Sequence, residues 1–359
     1  MMQSNVQKNY SESSDLSTDL QARYQKLKQQ TKIRVRDAAQ QLGVSEAELV
    51  ASGMNENVIR LDGPFHDLMA RIHELGTVMA LTRNESVVHE KDGIYLNMSC
   101  QGEVGMALGA EIDLRIFYRH WHHGFAVIDM LETEHETRAQ RSLQFFDAQG
   151  TAVHKIYLRN HSNVTAFSQL VSDFASQDQT SQLAILPAAV KSRIKPDQEI
   201  DVDGLRAAWS SMQDTHEFFG LLKKFEADRH QALRLTKTEF AYQVSLSSVR
   251  LLLQTVAMRA TPIMVFVGNQ GMIQIHSGPI QNVKVMDSWL NILDPGFNLH
   301  LREDDIASVW VVKKPTADGI VTSLELFNAD NENITMFFGQ RKPGKPELTE
   351  WQDAINELS

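Results

Sequence analysis

The chain repeats itself. Thr82-Arg-Asn84-Glu resembles Val267-Gly-Asn269-Gln, and Ile112-Asp-Leu114-Arg-Ile resembles Phe297-Asn-Leu299-His-Leu, each pair 185 positions apart. Further on, Ser142-Leu-Gln-Phe-Phe-Asp-Ala matches Ser323-Leu-Glu-Leu-Phe-Asn-Ala at an offset of 181. A near-constant offset through three motifs marks duplication followed by drift. The fold is therefore constrained to two similar α+β halves, each a sheet with attached helices, and a ligand is expected between or beside them. The length of 359 residues agrees, being long for one hydrophobic core.

Residues 1–30 read as a polar tail, disordered in part, running into a helix. Two short helices follow over Arg34–Leu49, with Gly43 ending the first and Ser45 capping the second in a capping box with Glu48. This resembles half of a helix-turn-helix, but its candidate recognition segment carries Glu46, Glu48 and no arginine, which favours a helical cap on the domain. After a helix near 63–75, apolar runs bounded by turns predict strands at Thr77–Thr82, Gly93–Met98, Glu111–Tyr118, Phe125–Asp129, Arg141–Phe146 and Ala152–Leu158. Short connections between them imply an antiparallel sheet. A helix at 163–175 closes an amino-terminal repeat spanning 31–175. The stretch 176–204, rich in Gln, Ser, Asp, Lys and Pro, reads as a linker, and 205–359 forms the second repeat.

Composition excludes several function classes. A formal charge of −10 repels phosphate backbones and anionic headgroups, so nucleic acid is not an expected partner. The single cysteine, Cys100, cannot form an internal disulfide, and no Cys-x-x-Cys-His sequence attaches haem covalently. No secretory leader or membrane-spanning run is evident, which together with the cysteine usage points to a soluble cytoplasmic protein without membrane insertion. Phosphate loops, nucleophile elbows, His-Glu-x-x-His helices and Gly-rich dinucleotide fingerprints are all missing.

Two segments remain. In Trp209-Ser-Ser-Met-Gln-Asp-Thr-His216-Glu-Phe-Phe219-Gly220-Leu-Leu-Lys223, helical spacing puts Met212, His216, Phe219, Gly220 and Lys223 on one face. An imidazole beside an aromatic wall and a small residue suits an axial ligand for a flat, apolar cofactor; a buried histidine bonded to a carbonyl would leave the same trace. In Ile112-Asp113-Leu114-Arg115-Ile116-Phe117, alternation places Asp113, Arg115 and Phe117 on one face. If covered, Arg115 requires an anion, either a ligand or a neighbour such as Asp113.

Those segments, with Val88-His89-Glu90, Ser142–Asp147, Thr215–Phe219, Phe266–Asn269, Lys314–Gly319, Ser323–Phe327 and Gly339–Arg341, resemble the HemS/ChuS family of cytoplasmic haem-utilisation proteins in order from about residue 30 onward. The resemblance implies a saddle-like α+β structure of two repeats, with a haem pocket between elements of the two halves. It implies His216 as proximal iron ligand and Arg115 as the distal catalytic group. It also implies Phe117 and Phe219 as lining, with Arg229, Lys314 and Arg341 near the propionates and His89 as a candidate second haem site. Guanidinium has no free lone pair for iron but can hydrogen-bond a group bound opposite the imidazole, and basic side chains at the rim pair with carboxylates. Relatives often carry a Gln and a Tyr in the segment that here reads Met336-Phe-Phe338-Gly-Gln-Arg341, so two peripheral contacts are expected to be missing.

The remaining histidines yield less. His89 reads also, and more simply, as a sheet-surface residue, and His120, His122 and His123 as a solvated loop lacking further ligands. The expected function is iron acquisition by haem degradation with an external reductant. The alternatives are haem transport or storage with delivery to a separate oxygenase, and a haem-responsive DNA-binding protein. A membrane haem importer and a downstream oxygenase or reductase are the expected partners.

Overall fold

In the computed structural model the residues described are 19–31, 33–54, 56–132, 137–188, 193–236, 239–341 and 344–358. The expected polar tail before residue 19 lies outside them. The chain forms two compact units. One comprises Met1–Thr82, Asp92–Ala189 and Asn269–Met272, the other Arg83–Lys91, Val190–Gly268 and Ile273–Ser359.

In the first unit five antiparallel strands run in the order Val58–Leu61, His123–Glu132, Thr137–Phe146, Ala152–Leu158 and Val78–Arg83. A three-stranded ribbon pairs Ser99–Gln101, Val104–Leu108 and Asp113–Phe117. Helices Phe65–Ala70 and Val164–Phe174 bury Leu68, Met69, Phe167 and Leu170 against the sheet residues Leu143, Phe145 and Ile156. Asn163 caps the second of these by accepting from the Ala166 amide at 3.0 Å.

In the second unit the strand order is Ala241–Val244, Ser308–Thr316, Gly319–Phe327, Asn333–Gly339, Ile263–Gly268 and Met272–Gly278. Its ribbon comprises Val283–Met286, Trp289–Asp294 and Phe297–Arg302, with Val87–Gly93 paired along the last strand. Helices Ser248–Met258 and Thr349–Asn356 cover one core. A trio, Val202–Ser210, Glu217–Lys224 and Arg229–Thr236, covers another built on Trp310, Val312 and Phe327.

The duplication is visible in detail. Asn84 and Asn269 each accept an amide hydrogen bond from the residue two further on, Ser86 and Gly271, within a tight hairpin. Offsets of 185 at the strand starts (123 and 308) and 181 at the bulged ends (146 and 327) place the four-residue difference inside one hairpin.

The capping predictions hold. Val35–Leu42 ends at Gly43 in the left-handed region (φ 71°), where glycine carries no steric cost, and Ser45 and Glu48 complete the capping box. The helix Glu46–Ala51 buries Glu46, Ala47, Leu49, Val50 and Ala51, so the face a DNA groove would need is committed to the core. Other expectations change. Gly93–Met98 is not a strand, because the extended run is Val87–Gly93 and the chain then crosses to the ribbon. The helix at 63–75 divides into Phe65–Ala70 and a 3-10 turn, Ile72–Leu75. Part of the linker stretch is fastened to the first unit: Arg60 pairs with Asp178 at 2.8 Å and donates to the Thr180 and Gln182 carbonyls. Among the described residues no helix is long and apolar enough to cross a membrane.

Candidate functional site

The helix expected to run through His216 starts there instead. Val202–Ser210 ends, a loop intervenes, and His216 stands immediately before Glu217–Lys224. Met212 is consequently buried in the helical core and leaves the face assigned to it, whereas His216, Phe219, Gly220 and Lys223 are all exposed. The His216 side chain is 89% exposed and Phe219 is 77% exposed. Space above Gly220 is open.

The loop is held from below. Trp209 stacks on Phe240 with ring centroids 5.2 Å apart, meets Phe218 edge-on at 4.5 Å, and donates its indole N–H to the Lys313 carbonyl. The Ala317 amide donates to the Gln213 carbonyl, tying the loop to the hairpin beyond Ser308–Thr316. Asp214 accepts from the backbone N–H of His216 at 2.8 Å and lies 2.6 Å from its Nδ1. Those two hydrogen bonds hold the Asp214 carboxyl below the usual carboxylate range, with a smaller pull from the Arg341 charge.

Beneath this face sits a buried charge cluster. Arg229 grips Glu325 through two hydrogen bonds of 2.7 Å, and Lys314 Nζ reaches the same carboxylate at 2.8 Å. Phe218 lies against both cations, its ring centroid 5.1 Å from the guanidinium carbon and 4.7 Å from Nζ. Burial opposes ionisation of Glu325, yet Arg229 and Lys314 hold its carboxyl well below the usual range. Burial pushes Lys314 down to about 8 although Glu325 draws it upward. Two cations against one anion leave an excess positive charge in a dry setting. Such a charge favours an anionic ligand group nearby.

Lys314, only 3% exposed, and Arg229 are thus engaged with Glu325 rather than standing open at a rim. Arg341 faces Asp318 at 3.9 Å, and its buried Nε has no hydrogen-bond partner among the described residues. That orphaned donor fits a carboxylate. Met336 Sδ lies 3.2 Å from Arg229, and Phe338 packs edge-on to Phe266 at 5.0 Å.

Arg115 and Phe117 belong to the first unit. Alternation there is as expected, with Leu114 and Ile116 buried and Asp113, Arg115 and Phe117 half-buried. Arg115 pairs with Asp113, as the sequence allowed. Cross-strand register places Val104, Met106 and Leu108 opposite Phe117, Arg115 and Asp113, and all three are exposed. The result is a flat apolar platform around one guanidinium.

His89 is fully buried in the second unit, edge-on to Phe297 at 5.1 Å, which corrects the reading of a sheet-surface histidine. His123 is in a strand and His120 in a 3-10 turn. Among the described residues no three His, Cys, Asp or Glu side chains converge as a metal site.

Three features escaped sequence reasoning. Asp214 is signalled by its place two residues before a helix-initiating histidine. Glu325 is the one charged residue of its strand, Gly319–Phe327, and a buried carboxylate demands cations. The platform is signalled by Val104-Gly-Met106-Ala-Leu108, whose large residues occupy one parity and small ones the other.

A duplicated α+β fold with an exposed imidazole, an exposed phenyl ring and a cationic cluster around a buried carboxylate defines a ligand-binding protein of repeated-domain type. Comparison with known proteins makes this specific. The family model for the haemin-degrading HemS/ChuX domain matches residues 43–174 and again 226–358. The hemin transport protein HemS of Yersinia enterocolitica is 39% identical over 328 residues, covering 90% of this chain and 92% of that protein. The crystal structure of holo-PhuS, a heme-binding protein from Pseudomonas aeruginosa, superposes with a TM-score of 0.92 at 42% identity, covering 96% of this chain and 99% of that one. The heme degrading enzyme ChuS of Escherichia coli O157:H7 gives a TM-score of 0.87 at 34% identity, covering 95% and 99%. The chain belongs to the HemS/ChuS family.

Proposed function

We propose that this protein binds haem through His216 and degrades it, releasing iron, with electrons from an external reductant. The observation that carries the reading is the exposed imidazole of His216, with Nδ1 engaged by Asp214 and Nε2 left as the iron donor. Phe219 supplies an apolar contact for a macrocycle. Arg341, with its orphaned Nε, and the net positive Arg229–Lys314–Glu325 cluster supply attraction for its carboxylates. Arg115 is assigned the distal role, as a hydrogen-bond donor that Asp113 keeps oriented, and Phe117 shares its face. The work takes place in the cytoplasm.

A second reading, haem carriage to a separate oxygenase, is favoured by the relative described as a hemin transport protein. Both readings use the same ligand. Aerobic incubation of the haem complex with ascorbate and catalase separates them. Loss of the Soret band with release of iron is the expected result, and a spectrum that persists establishes the carrier. Arg115→Ala is expected to retain haem but lose degradation.

A further inference from the structure

We propose that Asp214 is a positioning residue that fixes the tautomer of His216 and strengthens it as an iron donor; this rests on the reading of His216 as the haem ligand. One carboxylate oxygen takes both N–H groups of the same histidine, the backbone amide at 2.8 Å and the ring Nδ1 at 2.6 Å. With Nδ1 as donor, Nε2 holds the only available lone pair. The two bonds also limit rotation of the ring, which is otherwise free to turn because the side chain is 89% exposed.

The loop that carries Asp214 is itself fixed. The Gln213 amide donates to Glu217 Oε2 at 3.3 Å, and its carbonyl accepts from Ala317 at 2.9 Å. Asp214 therefore acts from a set position rather than following the imidazole. A carboxylate behind an imidazole N–H draws proton density toward itself and raises the basicity of the opposite nitrogen. A macrocycle laid over the pair would exclude water and lower the local dielectric, so the interaction grows when ligand is bound. A more basic donor favours ferric over ferrous iron.

Helix initiation alone would explain an aspartate here, so the test must separate charge from geometry. Asp214→Asn keeps an oxygen for both N–H groups and removes the charge, while Asp214→Ala removes both. Full-length wild type and both variants are loaded with haem. The iron–histidine stretch of the ferrous form is read by resonance Raman, the midpoint potential by titration, and helix content by circular dichroism. Asp214→Asn is expected to keep its helix content, lower the stretching frequency and raise the potential. Its affinity falls by less than about tenfold, whereas Asp214→Ala loses about tenfold to a hundredfold. A wild-type frequency and potential in Asp214→Asn would overturn the proposal while leaving His216 as ligand. An iron–histidine band that survives in His216→Ala would overturn the ligand assignment and the role of Asp214 with it.

Discussion

Glu46, Gln144 and Lys155 in the first unit stand where Arg229, Glu325 and Met336 stand in the second. Glu46 and Arg229 open matched helices, while Gln144 pairs in register with Lys155 as Glu325 does with Met336. Ser142 and Ser323, two residues before Gln144 and Glu325, donate or accept the same local bond. In the first unit the ion pair is Glu46–Lys155 at 2.5 Å, with Asp129, the counterpart of Lys314 at the 185 offset, also within electrostatic reach of Lys155. In the second, the anion has moved onto the strand, its helix partner has become arginine, and Lys314 adds another cation. The duplicated backbone accepts either polarity at these positions provided each buried charge is answered. In the second unit two cations, Arg229 and Lys314, answer the one carboxylate of Glu325.

The ribbons differ in the same way. Val104, Met106, Leu108 and Arg115 in the first correspond at the 185 offset to Trp289, Asn291, Leu293 and His300 in the second. In the second ribbon His300 Nδ1 and Asn291 Oδ1 lie 2.7 Å apart, and Arg302 lies over Trp289. That face spends its polar groups on itself. The first ribbon leaves its apolar side chains exposed.

The strongest way to break the comparison of the polar cores is to truncate the matched pair. Glu325→Ala strands buried Lys314 and half-buried Arg229 and is expected to cost about 3–5 kcal/mol. Gln144→Ala, losing one neutral partner, should cost about 1–2 kcal/mol. Denaturant unfolding of both variants would contradict the account if the costs were equal. Acid titration sharpens the same point. Glu325 is held below its ordinary value of 4.5, so its stabilisation is fully present above that pH and is lost as the pH falls toward the folded-state value. Glu325→Gln should flatten stability against pH in that acid window, a change Gln144→Ala should not produce.

Smaller effects test the ribbons. Met106→Asn, importing the residue of the matched position, is expected to weaken haem binding by about 1 kcal/mol through lost apolar contact, with stability changed by less than about 0.5 kcal/mol. The reciprocal Asn291→Met should leave haem affinity unchanged. Equal losses in the two variants, followed by spectral titration, would remove the functional distinction between the faces.

The duplication, the α+β class and the capping box at Ser45 were legible because each depends on local pattern or on residues compared at fixed offset. The alternation at Arg115 was legible for the same reason. The helical face through Met212 was not, since three-dimensional packing of Trp209 and Phe218 ends one helix and begins the next within a continuous apolar pattern. The engagement of Lys314 and Arg229 by Glu325 was equally hidden. It joins residues from three places in the chain, and nothing in the neighbourhood of any one of them names the others.

The claim on which the functional account turns is that the exposed imidazole at the start of the Glu217–Lys224 helix holds haem iron. Titrating haem into wild type and His216→Ala while recording the Soret band tests it directly. The account predicts a shifted maximum and affinity lowered by at least about tenfold, equivalent to about 1.4 kcal/mol, in the variant. An unchanged maximum and unchanged affinity would contradict it.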